Sequence, residues 1–175
     1  MKFARFLLML ALALGAHLLL VRLSPRFGGT LDLFAVLLVM TVRSMGMVPG
    51  ALAGAVLGWF QDALGSSLFG LHGIAGTLAG AIVARVSQQV SLQQPALLTG
   101  VFALVVLFEE AVIAVLLRLL AANPPAPDPV WVSVSALATA LFGGLMIVFL
   151  RRFRGRWARY RLGRRPKVRF QGRGA

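Results

Sequence analysis

Long runs of apolar residues, separated by short polar segments, dominate the pattern along the chain. A helix needs about 17–25 residues to cross a membrane, and four uncharged stretches approach or reach that length, at 6–21, 44–61, 63–84 and 129–150. Two weaker stretches lie at 33–42 and 95–117. The pattern predicts an all-α integral membrane protein, a bundle of six transmembrane helices at about 3–23, 31–44, 48–60, 67–87, 95–121 and 129–150. The second is short, so it must be shielded by neighbours, lie off-centre or continue end to end into the third.

Composition supports a membrane protein, since 59% of the residues are hydrophobic and only 13% are charged. The basic start and apolar centre of the first stretch resemble a secretory signal, but the apolar run continues to Val21, which favours a retained helix. There is no cysteine, which excludes disulfides and thiolate chemistry. The two histidines lie in different helices and no nucleophile motif accompanies them, so we expect neither enzymatic activity nor a metal or cofactor.

Basic residues are distributed unevenly about the predicted spans. Six spans place both termini on one side, which receives fifteen Lys and Arg residues, eleven of them after Leu150. The other side receives three, namely Arg22, Arg26 and Arg118. By the positive-inside rule both termini are cytoplasmic. The chain therefore divides into a transmembrane domain, 1–150, and a basic cytoplasmic tail, 151–175.

Aromatic and basic residues alternate at helical spacing at the start of that tail. The group comprises Arg151, Arg152, Phe153, Arg154, Arg156, Trp157 and Tyr160. Because the tail follows a membrane span, the pattern favours a helix lying on anionic membrane lipids over a nucleic-acid site. Docking of a cytoplasmic protein remains open.

Small residues recur at every third or fourth position of the third and fourth helices. The series are Gly46, Gly50, Gly54 and Gly58, then Gly73, Gly76 and Gly80. Such stripes let helix backbones approach closely in lipid. Packing of these two helices on each other is the favoured interpretation, and a seam with a partner or in a homodimer is the alternative.

Four of the five acids lie at or within predicted spans, where ionisable groups normally have a partner or a task; they are Asp32, Asp62, Glu109 and Glu110. We expect Asp32 and Arg43 to be interfacial caps at the two ends of the second helix. Glu109 and Glu110 point about 100° apart, so at most one faces the interior, where it would be protonated or meet a basic side chain such as His72 or Arg43. Asp62 ends a helix, a position unfavourable to an anion. We expect it to accept hydrogen bonds from amides near Ser66–Leu68, and Asp62→Asn to preserve the fold.

The segment "GWFQD" at 58–62, followed by Gly65 and by "LFGLHGIAGTLAG" at 68–80, resembles the MreD family of bacterial rod shape-determining membrane proteins. By that resemblance, Gly58, Asp62 and Gly65 would carry the family's motif. The resemblance implies a non-enzymatic component of the cell-elongation complex in the inner membrane, which binds MreC and, through it, RodA, a penicillin-binding transpeptidase and MreB. It also implies a fold like the substrate-binding S component of vitamin (energy-coupling factor) transporters.

A transporter's substrate-binding subunit is the alternative from another functional class. It would need a polar pocket that opens outward. The predicted outer loops offer few polar groups beyond Gln61, Asp62, Ser66 and Ser67, which favours the scaffold.

Overall fold

The computed structural model describes residues 2–23, 30–65, 68–90, 94–120 and 128–162. These residues form six helices: α1 Lys2–Leu23, α2 Leu33–Val42, α3 Met47–Leu64, α4 Leu71–Gln89, α5 Pro95–Leu120 and α6 Pro129–Leu162. Three segments are long and apolar enough to cross a membrane, namely Phe6–Leu23, Pro95–Leu120 and Pro129–Phe153. The all-helical class predicted from the sequence is confirmed for the described residues.

The last helix extends well past the predicted end at Leu150. It continues without a break to Leu162, so the first part of the basic tail is an extension of α6. The reason is local: no proline interrupts this run, and arginine is a good helix former. Arg151, Arg152 and Phe153 are exposed on the extension. The other four residues predicted to contact lipid have side chains outside the described part of the structure; they are Arg154, Arg156, Trp157 and Tyr160.

Helix α2 is the centre of the bundle. Eight of its ten residues are buried, and it contacts each of the other five helices. A helix that is apolar on every side is stable only when it is surrounded. Of the three arrangements that its length of about 15 Å allowed, shielding by neighbours is the one the structure adopts.

Helices α3 and α4 pack against each other as an antiparallel pair along a glycine seam. The seam consists of Gly50, Gly54 and Gly58 on α3 and Gly73, Gly76 and Gly80 on α4. A Cβ atom at Gly76 would lie 2.6 Å from the carbonyl oxygen of Gly54, closer than side chains tolerate. A Cβ atom at Gly54 would overlap the carbonyl of Gly76. The seam is therefore internal to the bundle, while Gly46 lies outside it as the N-cap of α3.

Two apolar clusters fill the interior. The larger surrounds α2 and includes Phe102, Val105 and Val106 of α5. The smaller joins Leu71 and Ala75 of α4 to Ile113 of α5. Along α5 the two clusters are separated by a single turn, and that turn contains Glu109 and Glu110.

Glycine seam packing is tested by Gly54→Ala, with Gly100→Ala as the matched control. A methyl group at Gly54 meets backbone that is not free to move, whereas nothing lies within 4 Å of one at Gly100 on α5. Overpacking costs about 1–3 kcal/mol, while glycine to alanine on an open helix surface gains up to about 1 kcal/mol. Thermal unfolding in mild detergent should show a lower midpoint for Gly54→Ala and an unchanged or higher one for Gly100→Ala. Equal midpoints would contradict the seam.

Candidate functional site

Polar side chains from five helices meet at the level of the turn that separates the two apolar clusters. We call this group the polar layer, and its members are Asp32, Gln61, Asp62, His72, Glu109, Glu110 and Thr139. Gln61 donates to Asp32 (Nε2–Oδ2, 3.2 Å), and the amide of Asp32 donates to the hydroxyl of Thr139 at 3.0 Å. Four of the five acids of the chain thus lie in one region.

Asp62 joins the end of α3 to the start of α4. Its side chain is fully buried. Oδ1 accepts from the backbone N–H of His72 at 3.0 Å and lies 2.8 Å from the ring Nδ1 of the same residue. Oδ2 accepts from the amides of Gly70 and Gly73, at 2.9 and 3.0 Å. A carboxylate at a helix N-terminus accepts hydrogen bonds from unpaired backbone N–H groups and interacts favourably with the helix dipole. Asp62 therefore stabilises the N-terminus of α4, although it lies near the end of α3.

The hydrogen bonds that the sequence predicted for Asp62 are present, but the donors lie further along the chain. They are Gly70, His72 and Gly73 rather than residues near Ser66–Leu68, and Ser66 and Ser67 lie outside the described residues. The difference arises from the turn before α4, where Gly70 adopts a left-handed conformation with φ of 106°. Glycine takes this conformation without strain, and α4 consequently begins at Leu71.

Asp32 and Arg43 lie at the two ends of α2, as the sequence predicted. Asp32 is the N-cap, and its Oδ1 accepts from the amide of Ala35 at 2.8 Å. Arg43 is the C-cap. Asp32 lies deep among the helices rather than at their ends, because its partner Thr139 is about ten residues, or roughly 15 Å, inside α6.

The neighbouring acids of α5 differ in environment. Glu109 is 7% exposed and Glu110 is partly buried, in agreement with the prediction that only one faces the interior. The expectation that the buried acid is either protonated or paired with a basic side chain stays a prediction. Glu109 lies within electrostatic range of Asp32 and Glu110, both acids, and it is Glu110 that lies near His72.

Sequence reasoning missed Thr139, which is fully buried in α6. Its spacing from Ser135, also buried, gave a usable indication, because residues four apart share one helix face. A polar stripe in an apolar helix normally faces protein rather than lipid.

The chemistry available to the polar layer is hydrogen bonding and attraction of positive charge. Carboxylates accept hydrogen bonds only, and the amide and hydroxyl groups add further acceptors. Within the described ranges no three His, Cys, Asp or Glu side chains are grouped so as to hold a metal ion. His17 is not a member of the polar layer. Its ring packs on that of Phe34, with the two ring centroids 5.5 Å apart.

Substitution of Asp62 tests the connection between α3 and α4. Both carboxylate oxygens accept backbone hydrogen bonds, so in either orientation the NH₂ group of asparagine would face at least one backbone N–H, and the expectation that asparagine preserves the fold is revised. Each buried group left unsatisfied costs about 1–3 kcal/mol. The thermal midpoint in detergent should fall for Asp62→Asn and fall further for Asp62→Leu.

Asp128→Asn is the matched control. Asp128 caps the exposed start of α6 through a bond to the amide of Val130, and asparagine caps equally well. Its midpoint should equal that of the unaltered protein. A midpoint for Asp62→Asn as high as that of the control would show that one carboxylate oxygen suffices.

Comparison with known proteins yields no relative: no family model matches the chain, and no curated protein or solved structure matches it. Any function must therefore be argued from the geometry of the bundle and its polar layer.

Proposed function

We propose that this chain is a non-enzymatic integral membrane component of the bacterial cell-elongation (rod) complex, of the MreD type. In this role it binds MreC and helps to regulate lateral peptidoglycan synthesis and cell shape. The observation that carries the proposal is the structural use of the motif residues. Gly58 packs on the His72 carbonyl, Asp62 binds the start of α4, and Gly65 ends α3. Motif residues that hold two helices together favour a rigid protein that positions its partners.

In this proposal all six helices cross the inner membrane, and both termini are cytoplasmic, as the distribution of basic residues predicts. Helices α3 and α4 have 18 and 19 residues, or about 27 and 28 Å, close to the hydrocarbon thickness of about 30 Å. Helix α2 is shorter and is enclosed by the others. An enclosed short helix within a six-helix bundle is compatible with the S-component-like architecture that the motif implies.

Helix α1 offers surface for a single-span partner such as MreC. It is attached to the bundle by one strip that includes Phe6, Leu10 and Leu14, and Leu10 is its only buried side chain in the described range 6–23. Leu12, on another face, is 65% exposed. In the bilayer such a face meets either lipid or another helix. RodA, its transpeptidase and MreB would join through MreC. Arg151 and Arg152, at the start of the α6 extension, would contact anionic lipid headgroups.

The substrate-binding subunit of a vitamin or other small-molecule transporter is the second candidate. The observation in its favour is the polar layer, which gathers more polar groups in one place than the sequence suggested. A transported substrate would need such a group of donors and acceptors.

Affinity purification of the full chain in mild detergent separates the two candidates. The scaffold predicts recovery of a single-span protein together with wall synthases. Leu12→Trp on α1 should reduce this recovery, and Leu104→Trp, which alters an equally exposed site on α5, should not. Recovery of an ATPase pair with a transmembrane coupling subunit would instead establish the transporter and overturn the scaffold.

Orientation is tested separately by reporters fused after Ala175. The excess of basic residues on that side predicts activity of a reporter that works only in the cytoplasm, and none from one that works only outside. The opposite result would invert the arrangement of all six helices.

A further inference from the structure

A groove opens on the surface of the bundle between α4 and α5. Its volume is about 280 Å³, and four residues of each helix line it. On both helices these residues have the spacing i, i+3, i+4 and i+7, counted from Ala79 on α4 and from Val101 on α5. Residues at this spacing share one helix face. The groove therefore follows the two helices for about two turns, or roughly 10 Å.

Every residue that lines the groove is apolar. Val83 and Val105 are buried and form its floor, which belongs to the larger apolar cluster, while Ile82 and Leu104 are exposed and form its rims. An unfilled recess forfeits the van der Waals contacts of its lining. An apolar chain that lies in the groove therefore gains contacts that a smooth helix surface does not offer.

The position of the groove along α4 matches one leaflet of a bilayer. Helix α4 ends at Gln89, and α5 begins nearby in the chain at Pro95. On α4 the lining runs from Val86 to Ala79, which is roughly 5 to 15 Å from that helix end. One leaflet is about 15 Å thick, half of the hydrocarbon thickness of about 30 Å. An acyl chain that descends from a headgroup at this end of the two helices would lie along the whole groove.

An arginine lies at the headgroup end of the groove. Arg85 is exposed, and it follows Ile82 by three residues, so the two Cβ atoms are about 5–6 Å apart. Among the described residues no carboxylate forms an ion pair with Arg85. A long basic side chain near the end of a membrane helix extends toward the headgroups. The sequence thus places a guanidinium group beside the mouth of an apolar groove.

A helix of another protein fits this surface less well than an acyl chain does. Helices associate closely in lipid where small residues let their backbones approach. The rims of the groove carry Ile82, Val86 and Leu104, which are large and exposed. A partner helix would also have to bring an acid into the membrane beside Arg85, which is costly. An anionic phospholipid already carries its phosphate at the level of the headgroups.

We propose that the groove between α4 and α5 binds one acyl chain of an anionic phospholipid, whose headgroup phosphate pairs with Arg85. The inference rests on the proposed crossing of the membrane by α4 and α5, and not on the role in cell elongation. Failure to recover a single-span partner would contradict that role and leave the lipid site untouched.

Native mass spectrometry of the full chain in mild detergent tests the proposal by counting bound lipids. The delipidated protein is titrated with dioleoylphosphatidylglycerol in one arm. In the other arm it is titrated with dioleoylphosphatidylcholine, which has the same acyl chains but no net charge. Phosphatidylglycerol should bind more tightly. Glycerol 3-phosphate, which has the charged headgroup without the chains, should not displace it.

Arg85→Gln should weaken the binding of phosphatidylglycerol about fivefold and leave that of phosphatidylcholine unchanged. The reason is that one basic residue near an anionic headgroup contributes about 1 kcal/mol. Arg118→Gln is the matched control, because Arg118 is an exposed arginine in the last turn of α5, at the opposite end of that helix from the mouth of the groove. It should leave the binding of both lipids unchanged.

Leu104→Trp tests the groove itself, because a larger ring on the rim would occupy the space of the acyl chain. One bound lipid should be lost from the count in both arms. Leu137→Trp on α6 is the matched control, since Leu137 is 62% exposed and Leu104 is 66% exposed. Lipids bound elsewhere, such as at Arg152, are counted equally in all variants, so the difference between variants measures the groove.

Equal affinity for the two lipids, displacement by glycerol 3-phosphate, or unchanged binding in either Arg85→Gln or Leu104→Trp would overturn the proposal. The occupant is checked in native membranes with a photoreactive residue in place of Ile82. We expect an adduct with the mass of an anionic phospholipid. An adduct with another protein or with a second copy of the chain would show that a helix covers the groove, and the proposal would then be wrong.

Discussion

The close approach of α3 and α4 is the constraint on which the other features depend. In lipid, apolar side chains gain little by meeting each other, so helices associate through tight backbone packing and hydrogen bonds. Glycines at the seam allow the tight backbone packing, and Asp62 supplies the hydrogen bonds. The two are linked, because Asp62 reaches the amides of His72 and Gly73 only where Gly58 lets the α4 backbone come near. The register set there also presents Gln61 to Asp32 and so fixes the N-terminus of the central helix α2.

Features that depend on local spacing could be predicted from the sequence. The four-residue period of glycine indicated which helices pack together, and the position of Asp62 at a helix end indicated that its partners lie in the next helix. The particular donors could not be predicted. They depend on the left-handed turn at Gly70, and a sequence with several glycines allows such a turn at several places.

The end of an apolar run indicates where a helix leaves the apolar environment, and not where the helix itself ends. The apolar run of α6 ends at Leu150, yet arginines that cannot enter lipid continue the same hydrogen-bonded backbone to Leu162. The surroundings of Glu109 are a different case. They are set by the rotation of α5 against α2 and α4, a tertiary property that spacing along one helix does not contain.

A bundle that only scaffolds other proteins does not require every member of the polar layer. Asp62 is explained by the turn, Asp32 by the cap of α2, and Thr139 by its bond to the Asp32 amide. An apolar residue at position 109 would continue the buried stripe and merge the two apolar clusters, at lower cost than a carboxyl group. Retention of an acid there is thus unexplained by stability. Position 109 is therefore the one place in the buried stripe of α5 where the sequence departs from the apolar pattern that packing alone would favour.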